Sequence, residues 1–146
     1  MSMQGEIMTE NYNLERRLLV ELDITIRTYD IDFAGIVSNV VYIRWLEDLR
    51  LKLLDEYLPL DKLIQQGCVP ILTGTQIEYK RQIKLFDKLI GRMWIKDLGK
   101  IKVSLEAEFI SNNQLAASAV QKGAFINLKD NRPQPVPEEL QSQYSY

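Results

Sequence analysis

The sequence contains no histidine and a single cysteine, Cys68. Without histidine, the chain has no Ser-His or Cys-His nucleophile pair, no histidine general base and no histidine metal site. One cysteine excludes an internal disulfide bond and a zinc site built from several cysteines. We interpret Cys68 as a small buried apolar residue. Acid–base or nucleophilic chemistry must therefore come from carboxylates, lysines, tyrosines, backbone N–H groups or water.

The sequence also lacks an excess of positive charge and a long apolar run. It has 18 Lys and Arg against 20 Asp and Glu, a formal net charge of -2, so no basic field is available for nucleic acid. A membrane-spanning helix takes about 20 consecutive apolar residues, and no run approaches that length. The opening MSMQGEIMTE has no apolar core of the kind that a secretory signal needs. We expect a cytoplasmic protein without a membrane span.

The remaining composition is typical of one globular domain. The chain has 146 residues, of which 46% are hydrophobic and 26% charged, as in ordinary soluble proteins. Residues 1–15 are polar and are predicted to form a flexible tail. Residues 131–146 contain three prolines and few apolar side chains, which predicts a second surface tail. The folded domain would then occupy residues 16–130.

Hydrophobic periodicity changes along the first half of the domain. Residues 18–28 alternate between apolar and polar side chains, a pattern typical of a half-buried strand. From residue 39 to residue 57 the period becomes helical, and Ser38 or Asn39 is a suitable N-cap. The apolar residues at helical spacing are Tyr42, Trp45, Leu46, Leu49 and Leu53.

Four further strand-like runs follow, at about residues 71–83, 88–96, 100–110 and 114–128. The last run is apolar on both faces, as in a central strand, although its LAASAV segment also suits a helix. Turn signals at DLGK and SNNQ predict that the last three runs form a meander. About five antiparallel strands and one long helix indicate an α+β fold in which the sheet curls around the helix. The sheet face left open would be covered by oligomerisation.

The segment between the first strand and the helix combines a carboxylate, a glycine and an uncharged run. Asp32 precedes Gly35, and the run from residue 33 to residue 43 carries no charge. Helix N-terminal N–H groups at Asn39 and Val40 suit a developing oxyanion, and a nearby carboxylate could attack an acyl carbonyl or activate water. An Asp-x-x-Gly segment is also a common turn, so Asp32 has a purely structural alternative. Asp30 is interpreted as a turn residue.

The segment YDIDFAGIVSNVVYIRWLED resembles the signature of the 4-hydroxybenzoyl-CoA thioesterase family. IEYKRQIKLFDKL resembles the second strand of that family, and PVPEEL resembles its ending, so the resemblance covers roughly residues 18–140. Gln82 and Phe86 depart from the pattern, since relatives often have proline and glycine there. The matching positions in the first segment are Tyr29, Asp32, Gly35, Val37, Asn39, Tyr42, Trp45 and Glu47.

The resemblance implies a hotdog fold, in which a sheet of about five strands wraps one long central helix and protomers join into a homodimer or homotetramer. It implies that Asp32 is the catalytic carboxylate and that the backbone N–H of Asn39 polarises the thioester carbonyl. Neither a metal nor an organic cofactor is needed. We add Val40 as a second oxyanion donor. Val37 and Tyr42 are predicted to line the acyl site, and Lys80, Arg81 and Lys84 to contact coenzyme A phosphates.

These observations predict a thioesterase that hydrolyses an acyl thioester of coenzyme A or of an acyl carrier protein. Two alternatives remain open from the sequence. A non-catalytic acyl-binding hotdog protein would keep the apolar wall but have no use for Asp32. Among enzymes, pocket depth decides between aromatic and fatty acyl groups, and the sequence does not give that depth.

Overall fold

The computed structural model describes residues 16–145, so the predicted N-terminal tail at residues 1–15 lies outside the described part of the chain. A short 3₁₀ turn at Thr28–Asp30 follows the first strand. The strands and α-helices are β1 (Arg17–Ile24), α1 (Asn39–Tyr57), α2 (Leu60–Gln65), β2 (Cys68–Tyr79), β3 (Leu89–Leu98), β4 (Lys102–Ser111), β5 (Gln114–Asn127), β6 (Pro133–Gln134) and α3 (Glu138–Tyr144).

The strands form one antiparallel sheet in the order β1-β3-β4-β5-β2, with the short β6 paired to β5. The predicted meander of β3, β4 and β5 is confirmed. Asn112 and Asn113 form the two-residue connection between β4 and β5, both with positive φ (50° and 67°). Asparagine tolerates this conformation better than most residues, which explains the SNNQ turn.

Helix α1 is confirmed at residues 39–57, and it packs on β1 and β3. Leu46 and Leu49 are 0% exposed, and full burial of one leucine is worth about 1.5–3 kcal/mol. Gly91 of β3 leaves room for the Leu49 side chain to approach the sheet. Within residues 16–145, no helix has both the length and the apolar character required to cross a bilayer.

Segment 114–128, which suits either a helix or a strand by its sequence, is the strand β5. It pairs with β4 on one side and β2 on the other, and its Ala116, Ala117 and Ala119 are buried. Pairing on both sides satisfies the backbone groups of β5, and small side chains on both faces fit a central position in the sheet.

The sheet face opposite α1 carries ion pairs, not the open apolar surface that we expected. Arg92 Nε lies 2.7 Å from Glu21 Oε2, and Lys96 Nζ lies 3.6 Å from Glu106 Oε1. These side chains alternate along β3 and β4 with residues that face the helix. This face is therefore compatible with water without any cover.

The predicted C-terminal surface tail is wrong for residues 133–145, which fold back onto the domain. Strand β6 pairs with β5, and Val136 and Leu140 are each 3% exposed. Tyr144 Oη donates a hydrogen bond to the Lys96 carbonyl at 3.0 Å. Val136 lies just before α3, whereas Leu140 and Tyr144 lie four residues apart on it, so these two side chains share one face of the helix and pack against the core. The folded domain extends past residue 130.

The antiparallel pairing of β2 with β5 gives a test of the sheet register. A Cβ added at Gly123 would lie 2.7 Å from the Ile71 carbonyl oxygen, whereas a Cβ at Gly74 would meet nothing within 4 Å. We expect Gly123→Ala to reduce the free energy of unfolding by about 1–3 kcal/mol, because backbone must move. Gly74→Ala is the matched control and should be neutral or slightly stabilising, since alanine restricts the unfolded chain more than glycine does. Urea-induced unfolding measures the stability of both variants. Equal unfolding midpoints for Gly123→Ala and Gly74→Ala would contradict the observed register.

Candidate active site

Asp32 lies in a tight loop between β1 and α1. Ile31 and Val37 pair as an isolated antiparallel bridge, and the Asp32 N–H donates to the Ile36 carbonyl at 2.9 Å. At the tip of the loop, Gly35 has φ = +78° and donates its N–H to the Asp32 carbonyl at 3.0 Å. A side chain at this φ would be strained, which explains the glycine. The loop holds the Asp32 backbone in one place.

The Asp32 carboxylate is held by one of its two oxygens. Oδ1 accepts hydrogen bonds from the N–H groups of Ala34 at 2.8 Å and Ile36 at 3.4 Å. Within residues 16–145, Oδ2 accepts no hydrogen bond and no cation lies within 4.0 Å. Asp32 is half-buried. Its turn role and a chemical role are therefore compatible, because Oδ1 fixes the side chain and Oδ2 stays available.

Asp30 has the structural role that its sequence position predicts. It is 5% exposed, and its Oδ2 accepts a hydrogen bond from the Arg27 N–H at 2.8 Å. Its carbonyl accepts a hydrogen bond from the Ser38 N–H at 3.0 Å. Asp30 therefore links the 3₁₀ turn to the residue that begins α1 and uses its carboxylate in doing so.

The N-terminus of α1 presents two backbone donors without partners. Ser38 is the N-cap, but its side chain makes no capping hydrogen bond. Among the described residues, no group accepts from the N–H of Asn39 or of Val40. Asn39 is exposed, and Val40 is 62% exposed. Both N–H groups belong to the first helical turn, where the helix dipole also favours negative charge.

A cleft of about 340 Å³ opens beside this helix start. Val37, Tyr42 and Ile83 are all less than 5% exposed and form its apolar part. Exposed basic side chains lie at the end of β2, which supplies the opposite wall. The residues that line the cleft are Ile36, Val37, Asn39, Tyr42, Tyr79, Lys80, Arg81, Gln82 and Ile83.

Tyr42 joins the cleft to the core of the domain. Its ring makes edge-on contacts with Tyr79 at 5.0 Å, Trp45 at 5.4 Å and Phe109 at 5.5 Å between centroids. Burial, with a smaller contribution from Tyr79, raises the pKa of Tyr42 to about 12. Tyr42 therefore stays protonated at neutral pH, and its ring serves as a rigid wall of the cleft.

The structure brings most of the predicted site residues together. Val37, Asn39, Tyr42, Lys80 and Arg81 all line the cleft. The other three lie next to it. Asp32 is hydrogen-bonded to the lining residue Ile36, Val40 follows Asn39 on α1, and Lys84 shares a neighbouring depression with Arg81.

The sequence reasoning gave no role to Tyr79 and Ile83, which also line the cleft. Tyr79 ends β2, and the Ile83 carbonyl accepts a hydrogen bond from the Val37 N–H at 2.8 Å. The hydrogen bond between Val37 and Ile83 joins residues that are 46 positions apart in the sequence, and no pattern in either segment predicts it. The aromatic residue at the end of a strand rich in β-formers was the available signal for Tyr79.

No metal centre is present among the described residues. Within residues 16–145, no group of three or more His, Cys, Asp or Glu side chains is placed to hold a metal ion.

Comparisons with known proteins agree with this architecture. No curated protein sequence matches the chain. Among solved structures, a 1,4-dihydroxy-2-naphthoyl-CoA thioesterase from Synechocystis is similar, with a TM-score of 0.79, 19% identity, and coverage of 87% of this chain and 96% of that one. A DHNA-CoA thioesterase from Staphylococcus aureus has a TM-score of 0.77 and 18% identity over 87% of each chain.

A third similar structure is a thioesterase from Thermus thermophilus complexed with coenzyme A and Zn, with a TM-score of 0.75 and 24% identity over 87% of this chain and 98% of that one. These likenesses show the hotdog fold. The sequence profile of the thioesterase-like superfamily matches residues 26–144, which include the loop, α1, the cleft and the folded C-terminal segment. The chain therefore belongs to the thioesterase-like superfamily and has the hotdog fold of the 4-hydroxybenzoyl-CoA thioesterase type.

Proposed function

We propose that this protein hydrolyses an acyl-CoA thioester to a free acid and coenzyme A, with Asp32 as the catalytic carboxylate. The observation that carries the proposal is that the loop and the helix start that follows it offer an Asp32 oxygen and two backbone N–H groups, none of which has a hydrogen-bond partner among the described residues. Acyl transfer needs a nucleophile or base on one side of the carbonyl and donors for the developing oxyanion. Segment 32–40 supplies both.

In the proposed reaction the thioester carbonyl oxygen accepts hydrogen bonds from the N–H groups of Asn39 and Val40. These donors strengthen their interaction as negative charge develops on the oxygen, and one such donor is commonly worth about 10²–10³-fold in rate. Asp32 then either attacks the carbonyl carbon, expelling the thiolate and forming a mixed anhydride, or removes a proton from an attacking water. Neither route uses a metal or an organic cofactor.

Basic residues at the cleft support coenzyme A as the leaving group. Lys80 and Arg81 line the cleft and are exposed, and Lys84 lies in the depression next to Arg81. Phosphate groups bind preferentially to such side chains. A related thioesterase is known in complex with coenzyme A. An acyl carrier protein remains the alternative donor of the thioester, and the composition supports a cytoplasmic location.

The free edge of β2 supports a homodimer. β2 is 12 residues long and ends the sheet, and its Ile71 and Leu72 are 38% and 43% exposed. A long exposed edge with apolar side chains is a template for another strand unless something covers it. We propose that two copies pair their β2 strands antiparallel, which gives the closed two-fold symmetry of most dimers.

Asp32→Asn tests the catalytic role. The amide keeps the size and can still accept from Ala34, but it has neither the negative charge nor the basicity, so we expect the fold to persist and kcat to fall by about 10²–10⁴-fold or more. Asp48→Asn, an exposed carboxylate on α1, should retain wild-type kcat. A screen of short, long and aromatic acyl-CoAs provides the measurement. Near-normal turnover by Asp32→Asn would show that Asp32 has only a structural role in the turn. If the wild type binds acyl-CoAs but does not hydrolyse them, the non-catalytic acyl-binding protein is favoured.

Oxygen labelling separates the two routes for Asp32. In a single turnover in ¹⁸O-water, a nucleophilic Asp32 acquires the label if water attacks the aspartyl carbonyl of the anhydride. Label found only in the released acid is expected for a general base, and also for attack on the acyl side. Only label in Asp32 is decisive, and we expect it, because Asp32 Oδ2 has no hydrogen-bond partner among the described residues and is available to attack the carbonyl carbon.

Asn39→Pro tests the oxyanion donor directly. Residue 39 is the first position of α1, where proline is well tolerated, and Ser38 already has the extended conformation (φ -67°, ψ 142°) that precedes proline. The substitution removes only one backbone N–H and the side chain, so kcat should fall by about 10²–10³-fold. Asn39→Ala retains the N–H and should lose much less. Equal losses in the two variants would assign the role to the side chain.

Leu72→Lys tests the β2 interface. A lysine on an edge strand opposes pairing with a second copy, so the wild type should sediment as a dimer or tetramer at micromolar concentration and the variant should dissociate more readily. Leu128→Lys changes a residue of similar exposure (45%) outside β2 and should leave the assembly intact. A wild-type monomer would contradict the proposed pairing.

A further inference from the structure

Arg50 is a charged residue held against the inner surface of the fold. It follows the fully buried Leu49 on α1, is itself half-buried, and donates from Nη1 to Oε1 of Gln121 on β5 at 2.7 Å. Gln121 is 1% exposed, and its Nε2 donates to Oγ1 of Thr75 on β2 at 3.0 Å. A guanidinium only donates, so the amide oxygen must face Arg50. Thr75 and Gln121 thus hold the guanidinium in a fixed place.

The positive charge of Arg50 has no paired anion in the part of the chain that the structure describes. Within residues 16–145, no carboxylate oxygen lies within 4.0 Å of the guanidinium. Burial lowers the pKa of Arg50, and the exposed Glu47 one turn away opposes this effect in part. Partial burial of an unpaired cation is destabilising. No nitrogen of Arg50 is both buried and without a hydrogen-bond partner, so the donors that Gln121 does not use are accessible to a ligand that brings a negative charge.

Arg50 lies on the same side of α1 as the oxyanion donor Asn39, about three helical turns further along. Tyr42 contacts Tyr79 at the end of β2, and Arg50 reaches Thr75 of the same strand through Gln121. The two contacts follow one another in opposite order along α1 and β2, so the two elements run in opposite directions. The Arg50 Cα lies about 16 Å beyond that of Asn39, and the side chain leans back towards the helix N-terminus. An acyl group that runs along the helix from the thioester carbonyl at Asn39 to the Arg50 guanidinium would therefore span about 10 Å.

We propose that Arg50 binds a carboxylate at the far end of the acyl group, so that the preferred substrates are coenzyme A thioesters of dicarboxylic acids. The thioester carbonyl lies at Asn39 and the free carboxylate at Arg50. A guanidinium can donate two parallel hydrogen bonds to one carboxylate, which gives both strength and orientation. This inference rests on the proposed hydrolase activity and adds the class of acyl group to it.

The test compares two thioesters that differ only in a terminal carboxylate, decanoyl-CoA and sebacoyl-CoA. The wild type should prefer sebacoyl-CoA in kcat/KM. Arg50→Met should lower kcat/KM for sebacoyl-CoA by about 10–100-fold, mainly through KM, because a charged hydrogen bond is lost. Decanoyl-CoA should be affected by less than about threefold, since it never made that bond. Arg50→Lys should recover only part of the preference.

Two further variants sharpen the comparison. Glu47→Gln removes a negative charge near the path of the chain and should raise the preference for sebacoyl-CoA, the opposite direction from Arg50→Met. Lys52→Met is the matched control, because Lys52 lies on the same helix with a 37% exposed side chain and contacts Glu56 at 4.0 Å. It should leave the ratio of the two substrates unchanged.

Binding to the Asp32→Asn variant separates this inference from the proposed hydrolysis. Calorimetry should show tighter binding of sebacoyl-CoA than of decanoyl-CoA, and Arg50→Met in the same background should abolish the difference, whether or not the wild type turns over. Equal binding of the two thioesters would overturn the role of Arg50. So would dissociation of the oligomer by Arg50→Met, which would show that the guanidinium pairs with a carboxylate of a second copy.

Discussion

Burial of helix α1 is the constraint on which the rest of the structure depends. Its apolar side chains cover a broad arc, and Leu46 and Leu49 are completely excluded from water. Burying these side chains requires a sheet that packs along the helix, and α1 lies on β1 and β3 while its Val40, Ile43 and Leu51 stay exposed. The ordering of the strands and the close approach at Gly91 follow from that requirement. The position of the helix N-terminus at the rim of the sheet follows as well.

Several features that cost stability occur together at the candidate site. Segment 30–40 contains a glycine at positive φ, a half-buried carboxylate with one available oxygen and two unpartnered helix N–H groups. Throughout residues 16–145, by contrast, every buried side-chain nitrogen or oxygen has a hydrogen-bond partner. A chain selected for stability alone would cap α1 with the Ser38 side chain. The departure from local optimum at one place is typical of a functional site.

The ends of the fold show where sequence patterns are informative. Helix α1 begins and ends at the predicted residues because its period, its N-cap region and the preceding loop all agree. The C-terminal segment was predicted as a surface tail because prolines and polar residues dominate its composition. Its Val136 and Leu140 are buried and its Tyr144 half-buried only because β6 pairs with β5 and α3 packs on β1 and β3. Composition averages over a segment, whereas burial depends on which few residues share a face.

The sequence by itself determined the local chemistry of this protein: a carboxylate shortly before a serine at the N-cap, a glycine for the turn, an uncharged helix start and no histidine. Such features follow from short-range sterics and periodicity, which a linear pattern records. Only the tertiary structure decided that Tyr79 and Ile83 complete the cleft and that Arg50 meets Gln121, 71 positions away, and through it Thr75. Those contacts depend on strand register and on the angle at which α1 crosses the sheet. Both are set by packing of the whole core, because a register shift of one residue would turn every side chain to the opposite face.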